Sequence, residues 1–241
     1  MLKFLYFVNN RQFSAYTLDH IVMVLFVLTV IVWTKKFFKS GFKDRHNILR
    51  FTFIVIILIQ QFSLYSWYYM NKSFNLIDAM PLYPCRIWQI CMLLMLITDN
   101  PVFFPVTCLL GFPSAVIAFL IPDTGGNGFP NIMFDQYLIG HIMLMIVPMY
   151  EYYCKDMRLN SKSNIIAYKF IFAYSAIALF VNNLIGSNYG YLSKFPYETN
   201  FIKSLGIMYT VLYLVFAVSL TTLWYKILLR KQNSTEYEFV K

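Results

Sequence analysis

Residues 17–35 read TLDHIVMVLFVLTVIVWTK, and between Ile21 and Trp33 the only polar side chain is that of Thr29. A helix rises about 1.5 Å per residue, so about 20 apolar residues cross the hydrocarbon core of a bilayer. An apolar stretch of this length predicts a membrane-spanning helix. Water is absent from that core, so the backbone must bond within its own segment, which a helix allows.

The same pattern recurs along the chain and predicts seven spans. The third and fourth are separated only by the tight turn Asp99-Asn100-Pro101. No linker divides the sequence, and we expect an all-α polytopic membrane protein with residues 1–241 in one bundle of seven transmembrane helices. The predicted spans are residues 17–35, 49–70, 80–98, 101–121, 132–154, 165–187 and 204–229.

The composition excludes several classes of protein. Of the 241 residues, 59% are hydrophobic and 13% are charged, and the mean hydropathy is +0.57. Soluble domains carry about 25% charged residues. A soluble enzyme, a disordered chain and a cytosolic nucleic-acid binder are therefore excluded. The net charge of +9 is better explained by attraction to anionic lipid headgroups than by nucleic acid, which is not an expected partner.

The distribution of positive charge predicts the orientation of the bundle. Fourteen of the 20 Lys and Arg residues lie on one side of the predicted spans and six lie on the other. Lys and Arg accumulate on the cytoplasmic side. The C-terminus is therefore predicted to be cytoplasmic and the N-terminus to lie outside. The smaller, outer set is Lys3, Arg11, Lys72, Arg86, Lys194 and Lys203.

Cys85 is the first candidate for chemistry within a span. It lies about five residues into the third span, roughly 7–8 Å deep, and follows Pro81-Leu82-Tyr83-Pro84. Arg86 is adjacent, and a positive neighbour favours the thiolate that acts as a nucleophile. The alternative is a small buried hydrophobic residue. The four cysteines form no CxxC pair, so a metal site is not expected.

His141 is the second candidate. It lies nine residues into the fifth span, roughly 13 Å deep, among apolar neighbours. Imidazole is the side chain best suited to moving protons near neutral pH. A histidine that only packs between helices remains the alternative at this stage.

A third group of polar residues lies at the end of the sixth span. Asn182 and Asn183 fall within the span, and Asn188 and Tyr189 follow it. An amide in this position could orient the imidazole or donate to an oxyanion. It could equally bind helices together. All the polar candidates fall in the outer half of the predicted bundle, which favours one shared site: Cys85, Arg86, His141, Asn182 and Asn183.

Several of these elements resemble the YwaF-like bacterial integral membrane proteins, which are related to the eukaryotic transmembrane protein 164. The similar motifs span residues 78–196 in the same order as in that family. Tyr83 stands where the bacterial relatives often carry histidine. The motifs are Pro81-Leu82-x-x-Cys85, Gly111, Leu120-Ile121-Pro122-Asp123, Phe129-Pro130, His141 and Asn188-Tyr189-Gly190-Tyr191-Leu192 with Pro196.

The resemblance implies a lipid acyltransferase that uses a cysteine and a histidine. Cys85 would be the nucleophile that carries a thioester and His141 the base. The substrates would be a membrane phospholipid and a lyso-lipid or other acyl acceptor, in the outer leaflet of a bacterial cytoplasmic membrane. No metal or organic cofactor is implied. We expect the oxyanion or phosphate to be held by residues drawn from Arg86, Asn182, Asn183, Asn188 and Tyr189. The alternative is a seven-helix transporter or ligand-sensing receptor that binds its ligand with the same residues.

Overall fold

The computed structural model describes residues 12–40, 46–195 and 204–239, with the side chains of the last helix described as far as Ser234. Within these ranges the chain folds into helices joined by short loops. We number the helices in chain order. They are α1 (Leu18–Lys39), α2 (His46–Met70), α3 (Leu76–Ala79), α4 (Pro84–Thr98), α5 (Phe103–Leu120), α6 (Ile132–Tyr153), α7 (Ser163–Ile185) and α8 (Ile207–Phe239).

The all-helical polytopic architecture is confirmed. In the described part of the chain, six helices are long and apolar enough to cross a membrane, namely α1, α2, α5, α6, α7 and α8. The predicted third span corresponds to α4, an apolar helix of 15 residues. It begins at Pro84 rather than at residue 80, because Tyr83 is extended (ψ 140°) and a proline fits only the first turn of a helix.

Helix α6 lies at the centre of the bundle. It packs against α1, α2, α4 and α5, while α7 packs against α8 and the first turn of α5. Half of an 18-residue apolar stretch of α6 is buried inside the bundle, whereas only 6% of such a stretch of α8 is buried. The faces of α1, α2, α7 and α8 that carry exposed apolar side chains are thus left for lipid. A side chain on α6 can therefore meet residues from several helices.

Helices α1, α4 and α6 begin at the same end of the bundle, which we call the outer end after the charge prediction. His20 shows how this end is held together. Its Nδ1 accepts from the backbone N–H of Tyr16 at 3.0 Å, so Nε2 carries the proton and donates to the Phe119 carbonyl at 2.7 Å. His20 therefore joins α1 to the end of α5 with both ring nitrogens bonded.

Asp99 organises the opposite, inner end. It ends α4 with φ 54°, and its carboxylate bonds to Arg50 of α2 and to Lys155 beyond α6. Burial raises the pKa of this carboxyl, but the Lys155 ammonium and the Arg50 guanidinium together lower it below its usual range. One side chain therefore connects three helices by charge.

We expect Asp99→Asn to lower the free energy of unfolding by about 1 kcal/mol, because the two ion pairs are partly exposed to solvent. A carboxyl whose pKa is lowered by folding stabilises the folded protein fully at any pH above its unfolded-state pKa, about 3.9. This stabilisation is lost as the pH falls through the lower pKa of the folded state. Thermal unfolding of both proteins in detergent between neutral pH and pH about 3 measures this. The stability gap should narrow towards the acidic end.

Asp156→Asn is the matched control, because Asp156 has φ 59° and, among the described residues, bonds only to Arg158 within its own loop. It should leave the unfolding temperature unchanged at every pH. A gap between wild type and Asp99→Asn that stayed the same from neutral pH to the acidic end would contradict the charge explanation.

Candidate functional site

Cys85 lies in the first turn of α4, where Pro84 starts the helix and Tyr83 precedes it in extended conformation. Its free thiol is partly buried against the core. Tyrosines from three other helices lie within electrostatic range of the thiol. They are Tyr137 of α6, Tyr174 of α7 and Tyr213 of α8. The thiol therefore packs against the interior of the bundle near the outer end.

Tyr174 also holds the segment that leads into α4. Its hydroxyl donates to the carbonyl oxygen of Leu82 at 3.0 Å, and its ring lies 5.5 Å from that of Trp88. Gly190 packs directly over the Tyr174 hydroxyl, where a Cβ would overlap it. The loop after α7 thus fixes Tyr174, and Tyr174 fixes the turn that carries Cys85.

His141 is 8% exposed, and its ring is oriented by its own helix. Nδ1 lies 2.7 Å from the carbonyl oxygen of Tyr137, one turn earlier. A carbonyl oxygen only accepts, so in the neutral ring Nδ1 carries the proton and Nε2 presents a lone pair. The rings of Tyr137 and Phe119 pack around the imidazole at 4.3 and 5.8 Å between centroids. This arrangement suits a general base.

Tyr137 is the neighbour that Cys85 and His141 share. Its ring packs on the imidazole, it lies within electrostatic range of the thiol, and its hydroxyl donates to the Ala118 carbonyl. Among the described residues, no hydrogen bond joins Cys85 to His141 directly. The Cys85–His141 pair stays a prediction, with both residues in the outer part of the bundle and one side chain in common.

Arg86 uses much of its guanidinium to close the short helix α3. Its Nη1 donates to the carbonyl oxygens of residues 78–80 at 3.1–3.3 Å. Its Nη2 bonds to the Tyr68 hydroxyl at 3.3 Å, and the group lies 5.2 Å from the centre of the Tyr83 ring. Arg86 therefore supports the chain before Cys85, and its contact with substrate stays a prediction.

Asn182 is 3% exposed and binds the loop that follows α7. Its Oδ1 accepts from the Tyr189 backbone N–H at 2.7 Å and from the Ser187 hydroxyl at 2.8 Å. Its Nδ2 donates to the Tyr189 carbonyl at 3.1 Å. Asn183, the next residue, is exposed. The two asparagines thus face different surroundings, and Asn182 folds the loop back over the bundle.

Tyr189 and Asn188 complete this loop. Tyr189 is fully buried, its ring lies 5.1 Å from that of Tyr83, and its hydroxyl donates to the Leu76 carbonyl at 2.6 Å. Asn188 accepts from the backbone N–H groups of Ser193 and Lys194 at 3.2 and 3.1 Å. The loop therefore packs against the segment that leads into α4, with Tyr189 in contact with Tyr83 and Asn188 within the loop itself.

An open apolar cleft of about 320 Å³ lies between α1 and α6 at the outer end. Leu138, in its wall, precedes His141 by three residues and lies on the same side of α6. The cleft thus runs beside the helix face that carries the imidazole. Its lining residues are Phe13, Asp19, Val22, Met23, Phe26, Phe129, Phe134 and Leu138.

The sequence analysis missed a cluster of glutamines next to the predicted site. Gln60 and Gln61 of α2, Gln89 of α4 and Gln136 of α6 bond to one another across three helices. Amides within a span are costly, and this cost was the signal that could have revealed them. We call these four side chains the glutamine cluster.

Comparison with known proteins gives one finding. The model of the TMEM164 family matches residues 15–228. No curated protein and no solved structure matches the chain. The matched region contains α1 to α7, Cys85, His141, the loop after α7 and most of α8. This chain is a multi-pass membrane protein that belongs to the TMEM164 family.

Proposed function

We propose that this protein is a membrane-embedded lipid acyltransferase in which Cys85 is the nucleophile and His141 is the base. The observation that carries the proposal is the environment of Tyr137. Its carbonyl holds Nδ1 of His141, its ring packs on the imidazole, and it lies within electrostatic range of the Cys85 thiol. Covalent acyl transfer requires a thiol and a base with an available lone pair, which are the roles proposed here for Cys85 and His141.

The first half of the reaction transfers the acyl group to the enzyme. Sγ of Cys85 attacks the carbonyl carbon of an acyl ester while its proton moves to Nε2 of His141. The bond between carbon and the ester oxygen then breaks, and the imidazolium gives that proton to the departing lyso-lipid oxygen. The products are a Cys85 thioester and a lyso-lipid.

The second half reverses the roles. The hydroxyl of the acceptor attacks the thioester carbon while its proton moves to His141 Nε2. The carbon–sulfur bond breaks, and the proton returns to the Cys85 sulfur. Each half begins and ends with a neutral imidazole, as a base that acts twice requires. These two half-reactions use no metal or organic cofactor.

The position of the site supports transfer rather than hydrolysis. His141 is buried, and aromatic rings of Tyr137 and Phe119 pack around it. A site that excludes water protects a reactive thioester until an acceptor arrives. The apolar cleft beside α6 supplies a surface for the acyl chain of a phospholipid or lyso-lipid, entering from the outer leaflet. We place the reaction in a bacterial cytoplasmic membrane, following the resemblance to the YwaF-like proteins.

The other predicted site residues take supporting roles in this proposal. Asn182, Asn188 and Tyr189 hold the loop over the start of α4, and Arg86 presents its charge beside Tyr83. A phosphate that reached this loop would meet the Arg86 guanidinium. Asn183 faces outwards and would meet only the surrounding lipid.

Lipid profiling of cells that express wild-type protein or Cys85→Ala tests the proposal. We expect the wild type to change the acyl composition of membrane phospholipids and Cys85→Ala to leave it as in cells without the protein, while both variants insert equally. Cys91→Ala is the matched control, since Cys91 is a buried cysteine of the same helix, and it should behave as wild type. A wild type that changed no lipid would favour the receptor or transporter alternative.

A further inference from the structure

The glutamine cluster lies inside the bundle, where unsatisfied amides are expensive. Gln60 and Gln89 are each 5% exposed. Four amides from three helices could pack at this depth only if nearly all their groups found partners. The directions of their hydrogen bonds therefore carry information about which atom of each amide faces which neighbour.

Backbone carbonyls fix the first two amides. Gln136 approaches the Met133 carbonyl at 3.0 Å, and a carbonyl only accepts, so this atom is the nitrogen and Oε1 faces away. Gln60 approaches the Gln136 carbonyl at 3.2 Å and Gln136 Oε1 at 2.8 Å. The Gln60 atom is therefore also its nitrogen, and Gln60 Oε1 is free to accept.

The remaining two amides follow from these. Gln61 donates to Gln60 Oε1 at 2.9 Å and, with the same nitrogen, to Gln89 at 2.6 Å. The Gln89 atom that receives this bond must be its oxygen. Its nitrogen is thereby turned the other way, so two backbone carbonyls and three side chains set the orientation of the Gln89 amide.

The Gln89 nitrogen lies against α6, beside the residue that precedes His141. It packs on Gly140, the neighbour of His141, so closely that a Cβ at residue 140 would overlap it. Gln89 also lies one turn after Cys85, and helical side chains lean towards the N-terminus of their helix. In the described part of the chain, no acceptor takes the two protons of this nitrogen. This nitrogen therefore keeps two protons that it can donate.

We propose that the Gln89 amide donates a hydrogen bond to the oxyanion that forms when Cys85 attacks an acyl ester, an inference that rests on the proposed function. As Sγ bonds to the carbonyl carbon, the electron pair of the carbonyl π bond moves to its oxygen. The thiol proton goes to His141 Nε2. The Gln89 N–H groups then stabilise the negative oxygen until it reforms the carbonyl and expels the lyso-lipid oxygen.

This role was predicted for other residues, which are engaged elsewhere. The amide oxygen and nitrogen of Asn182 already form hydrogen bonds with the backbone of Tyr189 and with the Ser187 hydroxyl. Arg86 donates to the carbonyls of residues 78–80. Gln89 is the amide that is buried, oriented and still able to donate. A glycine at residue 140 is what lets it approach α6 so closely.

Two reagents that react with the same thiol test the proposal. A p-nitrophenyl acyl ester acylates Cys85 through an oxyanion, whereas iodoacetamide alkylates it by direct displacement without one. Purified protein in lipid nanodiscs is treated with each, and mass spectrometry follows the peptide that contains Cys85. We expect Gln89→Met, which keeps the side-chain length, to slow acylation about 10²–10³-fold and to leave alkylation unchanged.

Gln61→Met is a second variant, which serves if Gln89→Met does not fold. It removes the bond that orients Gln89 and should slow acylation less than Gln89→Met, again without changing alkylation. Acylation at the wild-type rate in both variants would overturn the role of Gln89, and so would an equal slowing of both reagents. If the ester does not acylate Cys85 of the wild type, the proposed function itself fails, which is a separate outcome.

Discussion

Replacing His141 with glutamine should slow acylation of Cys85 by an acyl ester about 10²–10⁴-fold, the usual contribution of a general base. Glutamine keeps a polar group in the buried site, but it cannot take the thiol proton. The thiol would then have to ionise without help in surroundings that disfavour charge. The measurement is the rate of Cys85 acylation in purified protein, together with acyl transfer from a phospholipid to a lyso-lipid.

His20→Gln is the matched control, because His20 is also a buried histidine at the outer end. Both of its ring nitrogens are bonded, to the N–H of Tyr16 and to the Phe119 carbonyl, so it has no lone pair to offer. We expect this variant to lower stability while folded protein keeps the wild-type acylation rate. Equal acylation in wild type and His141→Gln would remove His141 from the reaction.

Gly190→Ala should cost about 2–4 kcal/mol of stability and should also slow acyl transfer. Gly190 has φ 70°, a conformation that strains any residue with a Cβ, and its Cβ would overlap the Tyr174 hydroxyl. Tyr174 would have to leave the Leu82 carbonyl, which supports the turn carrying Cys85. Unfolding in detergent measures the first effect, and the acylation rate of folded protein measures the second.

Gly186→Ala separates the two causes, since Gly186 ends α7 with φ 71° but has open space where its Cβ would lie. It should cost about 1 kcal/mol through backbone strain alone and leave acylation unchanged. The difference between the two variants is the contribution of the Tyr174 contact. Equal losses at Gly186 and Gly190 would show that Tyr174 does not depend on the glycine.

Much of the fold could be predicted from the sequence because hydropathy acts locally. The span predicted at 132–154 is the helix Ile132–Tyr153, and the span predicted at 17–35 is Leu18–Lys39. The short helix α3 was not predicted. It depends on Asn75, whose side chain accepts from the Asp78 N–H, and on the Arg86 bonds to its last carbonyls. Four residues are too few to show the hydrophobic periodicity that predicts a helix from sequence.

The candidate site could be predicted only in outline. The cost of polar groups in lipid drew attention to Cys85, His141 and Asn182, and all three lie in the outer part of the bundle. The same cost applied to Gln60, Gln61 and Gln136, which were overlooked because Gln136 lies far from the other two in the sequence. Their shared network exists only where α2, α4 and α6 pack together.

The sequence by itself determined that this protein crosses a membrane several times and where its helices run, because the length of the apolar runs must match the bilayer and the backbone must bond within each run. Only the tertiary structure determined which polar groups already have hydrogen-bond partners. Asn182 and Arg86 bond to backbone carbonyls, and Gln89 keeps its donor free beside Gly140. Some of these partners lie several residues away along the chain and others lie on another helix, so only the folded structure assigns them.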